Sequence, residues 1–127
     1  VRIADISPRL VVPPRNGSSY RIFHLLRHLS ARHEIRQHSQ PLRSQTRGGF
    51  DREVRVNATY SEYRETSPLS TLTLEWCFRS WITTPILAGA VLSALRPGRL
   101  RADLRWADVC VVEFPWQFAF CRRERPD

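Results

Sequence analysis

The chain has 127 residues, 42% of them hydrophobic, and a formal net charge of +8 whose basic side is all arginine. That is one domain's length (1–127, a single domain) with enough apolar content for a core; a wholly disordered chain is excluded, and no apolar run reaches the ~18–20 residues that a bilayer-spanning helix needs. Cys77, Cys110 and Cys121 are odd in number and widely spaced, and read as reduced thiols of a cytoplasmic protein rather than as a disulfide framework or a zinc site.

Val1 to Ser7, with apolar Val1, Ile3, Ala4 and Ile6, predicts a short buried strand that Pro8 ends. Pro13, Pro14, Asn16 and Gly17 then mark a loop, after which Ser18 or Ser19 is placed to cap a helix. Ile22, Leu25, Leu26 and Leu29 form that helix's apolar stripe, widened by Tyr20 and Phe23, and the helix is expected to run to Ala31 or Arg32. His33–Gln40 and Glu53–Asn57 read as a second and a third strand, Leu42–Asp51 and Ala58–Ser67 as loops. Ser67-Pro68 opens a helix to Trp81 with Leu69, Leu72 and Trp76 turned inward; Pro85 interrupts it, and Ile86–Leu95 continues as an apolar helix. Leu100–Trp106 is a short amphipathic helix, Val109–Val112 reads as a buried parallel strand with an inert Cys110, and Phe118–Arg123 starts a last helix.

Strands alternating with helices predict an α/β fold, a Rossmann-like parallel sheet with helices on both faces. Two patches give this pattern a family likeness. The segment from Ser7-Pro8 through Pro13-Pro14 and Asn16-Gly17-Ser18-Ser19 to Leu25-Leu26 and His33-Glu34 resembles the opening of GT-B-type glycosyltransferases of the group-1 kind, and Ala107-Asp-Val-Cys-Val-Val-Glu113 is similar to a later strand of the same domain. The resemblance implies an incomplete GT-B N-terminal domain, the acceptor side of an enzyme that moves a sugar from a nucleotide-sugar donor. The family's glycine pair is reduced here to Gly17-Ser18, and its Glu-x7-Glu segment, which belongs to a C-terminal donor domain, has no counterpart. That puts catalysis by this chain alone in doubt. No cofactor is implied; the nucleotide-sugar is a co-substrate of the complete enzyme.

The candidate site follows from where the residues fall. Asn16, Gly17 and Ser18 sit between a strand and a helix, where backbone N–H groups favour an anion, with Arg15 and Arg21 alongside. The bland alternative is an ordinary capped turn with solvated arginines. Glu113 ends a strand at the edge that lines the crevice of open α/β sheets, which suits it to acceptor hydroxyls or proton transfer; the alternative is a loop carboxylate. Trp116 next to it can stack on a sugar or simply pack. His24 and His28, four apart on one helix, lack the carboxylate company of a metal site, so no metal is expected.

The expected partners are a glycan or lipid-linked acceptor and the missing donor domain. The apolar stretch Trp76–Leu95, with Arg79, Arg96, Arg99 and Arg101, adds an anionic membrane surface at its inner face as a candidate, against the plainer reading of a core helix pair. Two other readings compete. One is a small Arg-rich nucleic-acid-binding protein, which the charge favours but the scattered arginines and the absence of a helix-turn-helix, zinc-finger or RRM signature oppose. The other is a non-catalytic partner of a separate donor-domain protein.

Overall fold

A computed structural model describes residues 1–41, 45, 51–79, 97–113 and 117–126. The elements, in order, are β1 (Arg2–Ser7), α1 (Gly17–Leu29), β2 (Glu34–Ser39), β3 (Glu53–Arg55), β4 (Tyr60–Arg64), α2 (Pro68–Arg79), α3 (Gly98–Trp106), β5 (Val109–Val112) and α4 (Phe118–Glu124). The strands form one sheet in the order β3-β4-β2-β1-β5. β1 is parallel to both β2 and β5, and β2 is parallel to β4; β3 alone runs antiparallel, as a hairpin on β4. The fold is thus mixed α/β with a mostly parallel sheet, as the alternation of elements predicts.

Side-chain alternation on β1 divides the core between the two faces. Ile3 packs on one side with Val11, Ile22, Leu26, Ile35 and Tyr60, beneath α1. Ala4 and Ile6 face the other side and meet Leu100 and Leu104 of α3, Phe120 and Cys121 of α4, and Ala107. Helices therefore cover both faces. A salt bridge of 2.6 Å from Arg2 to Asp108 ties the start of β1 to the turn before β5.

The structure corrects several local expectations. Ala58–Ser67 is not all loop, because Tyr60–Arg64 forms the strand that carries the sheet beyond β2. The cap of α1 is Asn16, not Ser18 or Ser19: Asn16 Oδ1 accepts from the Ser19 N–H at 3.0 Å, and Ser19 Oγ accepts from the Asn16 N–H at 3.0 Å, a reciprocal capping box. The helix stops at Leu29, with Ser30 as its C-cap. Ile22 and Leu26 are buried, whereas Tyr20 and Leu25 are about half exposed, because the buried stripe is only as wide as the sheet beneath it. Leu69, Leu72 and Trp76 of α2 are likewise about half exposed rather than turned inward; the buried side of the helix carries Thr71.

β5 is less buried than an apolar parallel strand leads one to expect, and Cys110 is only partly covered. The reason is position: among the described strands β5 pairs with β1 alone, at the sheet edge. The expected helix 86–95 and the end of the preceding one lie outside the described residues, as does Trp116. No helix among the described residues is long and apolar enough to cross a membrane.

Candidate functional site

Chain order and sheet order together locate the site. From β1 the chain builds outward to β2 and β4, then returns to place β5 on the opposite side of β1. The direction of winding reverses between β1 and β5, and in open α/β sheets ligands bind at the carboxyl ends of the strands at such a point. Asn16, Gly17, Ser18 and Arg15 lie in the β1–α1 connection and the first turn of α1, after the carboxyl end of β1. Glu113 follows the last residue of β5, and its N–H continues the ladder to the Ile6 carbonyl at 3.1 Å.

Glu113 and Arg21 are joined. The carboxylate Oε2 accepts from Arg21 Nη2 at 3.3 Å, with the Glu113 side chain 9% exposed and that of Arg21 74% exposed. The pair links α1 to β5 over this end of the sheet. Asn16 and Ser18 are turned to structural work, since Ser18 Oγ donates to Asn16 Oδ1 at 2.9 Å and the same oxygen caps the helix. Gly17 has open space where a Cβ would stand, so no close backbone approach requires glycine there. Arg15 is exposed and enters the geometry through its N–H, which donates to Ser19 Oγ at 2.9 Å.

Beneath α1 the strand register stacks side chains in rows. Ile3, Ile35, Tyr60 and Val109 form an apolar row toward the amino ends. Asp5, Gln37 and Glu62, with Val111, form the next. Ser7, Ser39 and Arg64 form the row at the carboxyl ends, level with Glu113. Sequence reasoning missed the middle row, whose polar residues are all buried.

Within that row Glu62 is fully partnered. Its Oε1 accepts the N–H groups of Val11 at 2.9 Å and Val12 at 3.4 Å, and its Oε2 accepts Arg64 Nε at 3.0 Å. Arg64 also donates to the Val12 carbonyl, so the loop after β1 is held by side chains of β4. Tyr60 Oη donates to Gln37 Oε1 at 2.5 Å. Asp5 is different: neither of its oxygens has a hydrogen-bond partner among the described residues. Burial, and then the charge of Glu113, push its carboxyl well above the ordinary carboxylate range. The surroundings of Asp5, one row behind Glu113, thus favour its neutral form.

The opposite face carries a second polar centre, also missed from sequence. Asp103, on the buried side of α3, receives Arg36 Nη1 at 2.7 Å, His38 Nε2 at 3.0 Å and Arg99 Nε at 3.0 Å. Burial works against its charge, but these hydrogen bonds prevail and bring its carboxyl down to about 2. Aromatic rings frame the cluster, with the Arg36 guanidinium 3.8 Å from the Trp106 ring centre and that of Arg99 4.1 Å from Tyr63. Asp103 had a legible signal, an acidic residue on the Leu100–Leu104 side of an amphipathic helix, but its partners come from β2 and could not be paired with it by spacing.

Among the described residues no group of three or more His, Cys, Asp and Glu side chains is placed to hold a metal ion. No protein-family model matches the chain, and no significant match exists among curated proteins or solved structures. The described residues make a mixed α/β protein with a five-stranded, mostly parallel sheet, consistent with a Rossmann-like fold, and place Glu113 at the carboxyl end of β5.

Proposed function

We propose that the chain is the acceptor-side, N-terminal domain of a GT-B-type glycosyltransferase, whose nucleotide-sugar is held by a separate donor domain. The observation that carries this reading is the position of Glu113, a largely buried carboxylate at the carboxyl end of β5, at the reversal of sheet order and paired across to α1 through Arg21. In this role Glu113 accepts a hydrogen bond from an acceptor hydroxyl, and the exposed Arg21 moves aside or turns to a phosphate on the acceptor. Asn16, Gly17 and Ser18 supply the neighbouring cap and first turn of α1, and Trp116 is the candidate ring for stacking. The acceptor is a glycan or a lipid-linked sugar, the latter bringing the domain to the inner face of an anionic membrane.

Backbone-amide NMR titration with methyl glycosides and short oligosaccharides tests the reading. Shifts should centre on Asn16–Arg21 and Glu113, and Glu113→Gln should weaken binding about tenfold, the worth of a hydrogen bond to a charged group. Absence of shifts at both segments with every saccharide would overturn it. Shifts spread over the exposed arginines on adding duplex DNA or RNA, falling steeply with salt, would install the nucleic-acid reading instead.

A further inference from the structure

A pocket of about 290 Å³ lies between β5 and α4, with Cys110, Val112, Phe118, Cys121 and Arg125 among its walls. Cys110 and Val112 pair with Ala4 and Ile6 and share their face of the sheet, opposite to that of Glu113. The pocket is thus separate from the Glu113 crevice, and it brings two thiols into one wall.

The two thiols differ in access. Cys110 is only partly covered, because β5 is an edge strand among the described strands. Cys121 is 5% exposed and belongs to the cluster of Leu100, Leu104 and Phe120. They are also neighbours. Cys110 packs against that same cluster, and burial, followed by the charge of Cys110, pushes the Cys121 thiol up. A third group stands beside the more accessible sulfur: Arg125 Nη1 lies 3.9 Å from Cys110 Sγ, and the carbonyls of Ala107 and Asp108 hold the guanidinium in place. A partly exposed thiol with a cationic neighbour is the setting in which cysteines react, whereas a buried thiol is shielded from reagents. An accessible sulfur next to a shielded one is the arrangement of an oxidisable cysteine with its resolving partner.

We propose that Cys110 is a site of oxidation by hydroperoxides, and that Cys121 resolves the product into a reversible disulfide joining β5 to α4. With hydrogen peroxide, the Cys110 sulfur attacks one peroxide oxygen. An S–O bond forms, the O–O bond breaks, and the thiol proton leaves with the departing hydroxide as water. The sulfur loses two electrons and the peroxide gains them, which leaves a sulfenic acid. The Cys121 sulfur then attacks that of Cys110. An S–S bond forms, the S–O bond breaks, and the Cys121 proton leaves with the hydroxyl group as a second water. Burial keeps Cys121 from the peroxide but not from a sulfur in the same pocket wall. Nothing in this assignment depends on the glycosyltransferase reading, which concerns the other face of the sheet.

The reduced whole chain, treated with hydrogen peroxide and then alkylated in denaturant, tests the proposal by mass. One tryptic peptide, Trp106–Arg122, contains both cysteines. It should appear two hydrogens lighter and unalkylated, in a chain that stays monomeric, and dithiothreitol should restore both thiols. Cys121→Ala should halt the reaction at a Cys110 sulfenic acid that dimedone traps. Cys110→Ser should leave Cys121 reduced, and because Cys110 is only partly covered this variant keeps the fold if Cys121→Ala does not. Four results would overturn the proposal: Cys110 still reduced after peroxide treatment, an oxidised Cys110 beside a reduced Cys121, a link to Cys77 or between two chains, or oxidation of Cys121 in Cys110→Ser.

Discussion

Replacing Asp103 by asparagine isolates the charge at the centre of the α3 face. The side chain keeps its shape, but Arg36, His38 and Arg99 now point at a neutral amide. A carboxyl held at about 2 in the folded chain, against about 3.9 when unfolded, contributes roughly 2–3 kcal/mol at neutral pH. Arg99 is largely exposed and solvent-screened, which favours the lower end of that range. The folded state favours the ionised form, so the contribution is complete above about pH 5, near half by about pH 3, and gone below about pH 1. Urea unfolding should therefore show Asp103→Asn less stable than wild type by about 2 kcal/mol at pH 7 and by about half that at pH 3. A loss under about 0.5 kcal/mol at pH 7, or one that is the same at both pH values, would refute the reasoning.

Asp5→Asn should act in the opposite sense. Its folded carboxyl is raised, so ionisation costs stability as pH climbs above the unfolded value; the variant should gain on wild type at pH 8 and lose that advantage below about pH 4 in thermal melts. Asn16→Ala removes the acceptor of the capping box and should cost about 1 kcal/mol by urea titration; no measurable loss would mean that another group caps α1. Arg21→Ala, by contrast, should change stability by less than about 1 kcal/mol, because Arg21 is mostly exposed. Burial pushes the Cys121 thiol up to about 12, so iodoacetamide at pH 8 should label it only after denaturant is added, as peptide mass mapping can show.

Much of the architecture was legible because it depends on local pattern. The Val1–Ser7 run, the Ile22–Leu26 stripe, Ser67-Pro68 and the Val109–Val112 run each mark an element that forms where expected. β4 is not legible because its inward residue at the centre is Glu62, a charged side chain that is buried only through the Val11 and Val12 N–H groups of a distant loop and Arg64 of its own strand. The same non-locality hid Asp5 and Asp103, whose environments are made by neighbours on adjacent strands and helices. Glu113 could be picked out, since the end of an apolar strand is visible in one dimension. Its partner Arg21 was also named, but as a phosphate ligand, and nothing in the spacing announced the ion pair. Asn16 was singled out for a ligand and is instead occupied with holding α1.

The graded rows beneath α1 have a consequence for how the domain can change. At one end Ile3, Ile35 and Tyr60 form a foundation in which any change of volume is felt throughout the fold. At the other, Ser7 and Ser39, fully buried, and Glu113, largely buried, stand where the strands meet the loops, outside that apolar cluster. Polar exchanges of similar size at that end therefore leave the apolar cluster intact. The middle row couples the two: Glu62 holds the Val11–Val12 loop from below, so a substitution there would reach the rim without touching it. This domain has a conservative end and an adaptable end, with a short buried lever between them.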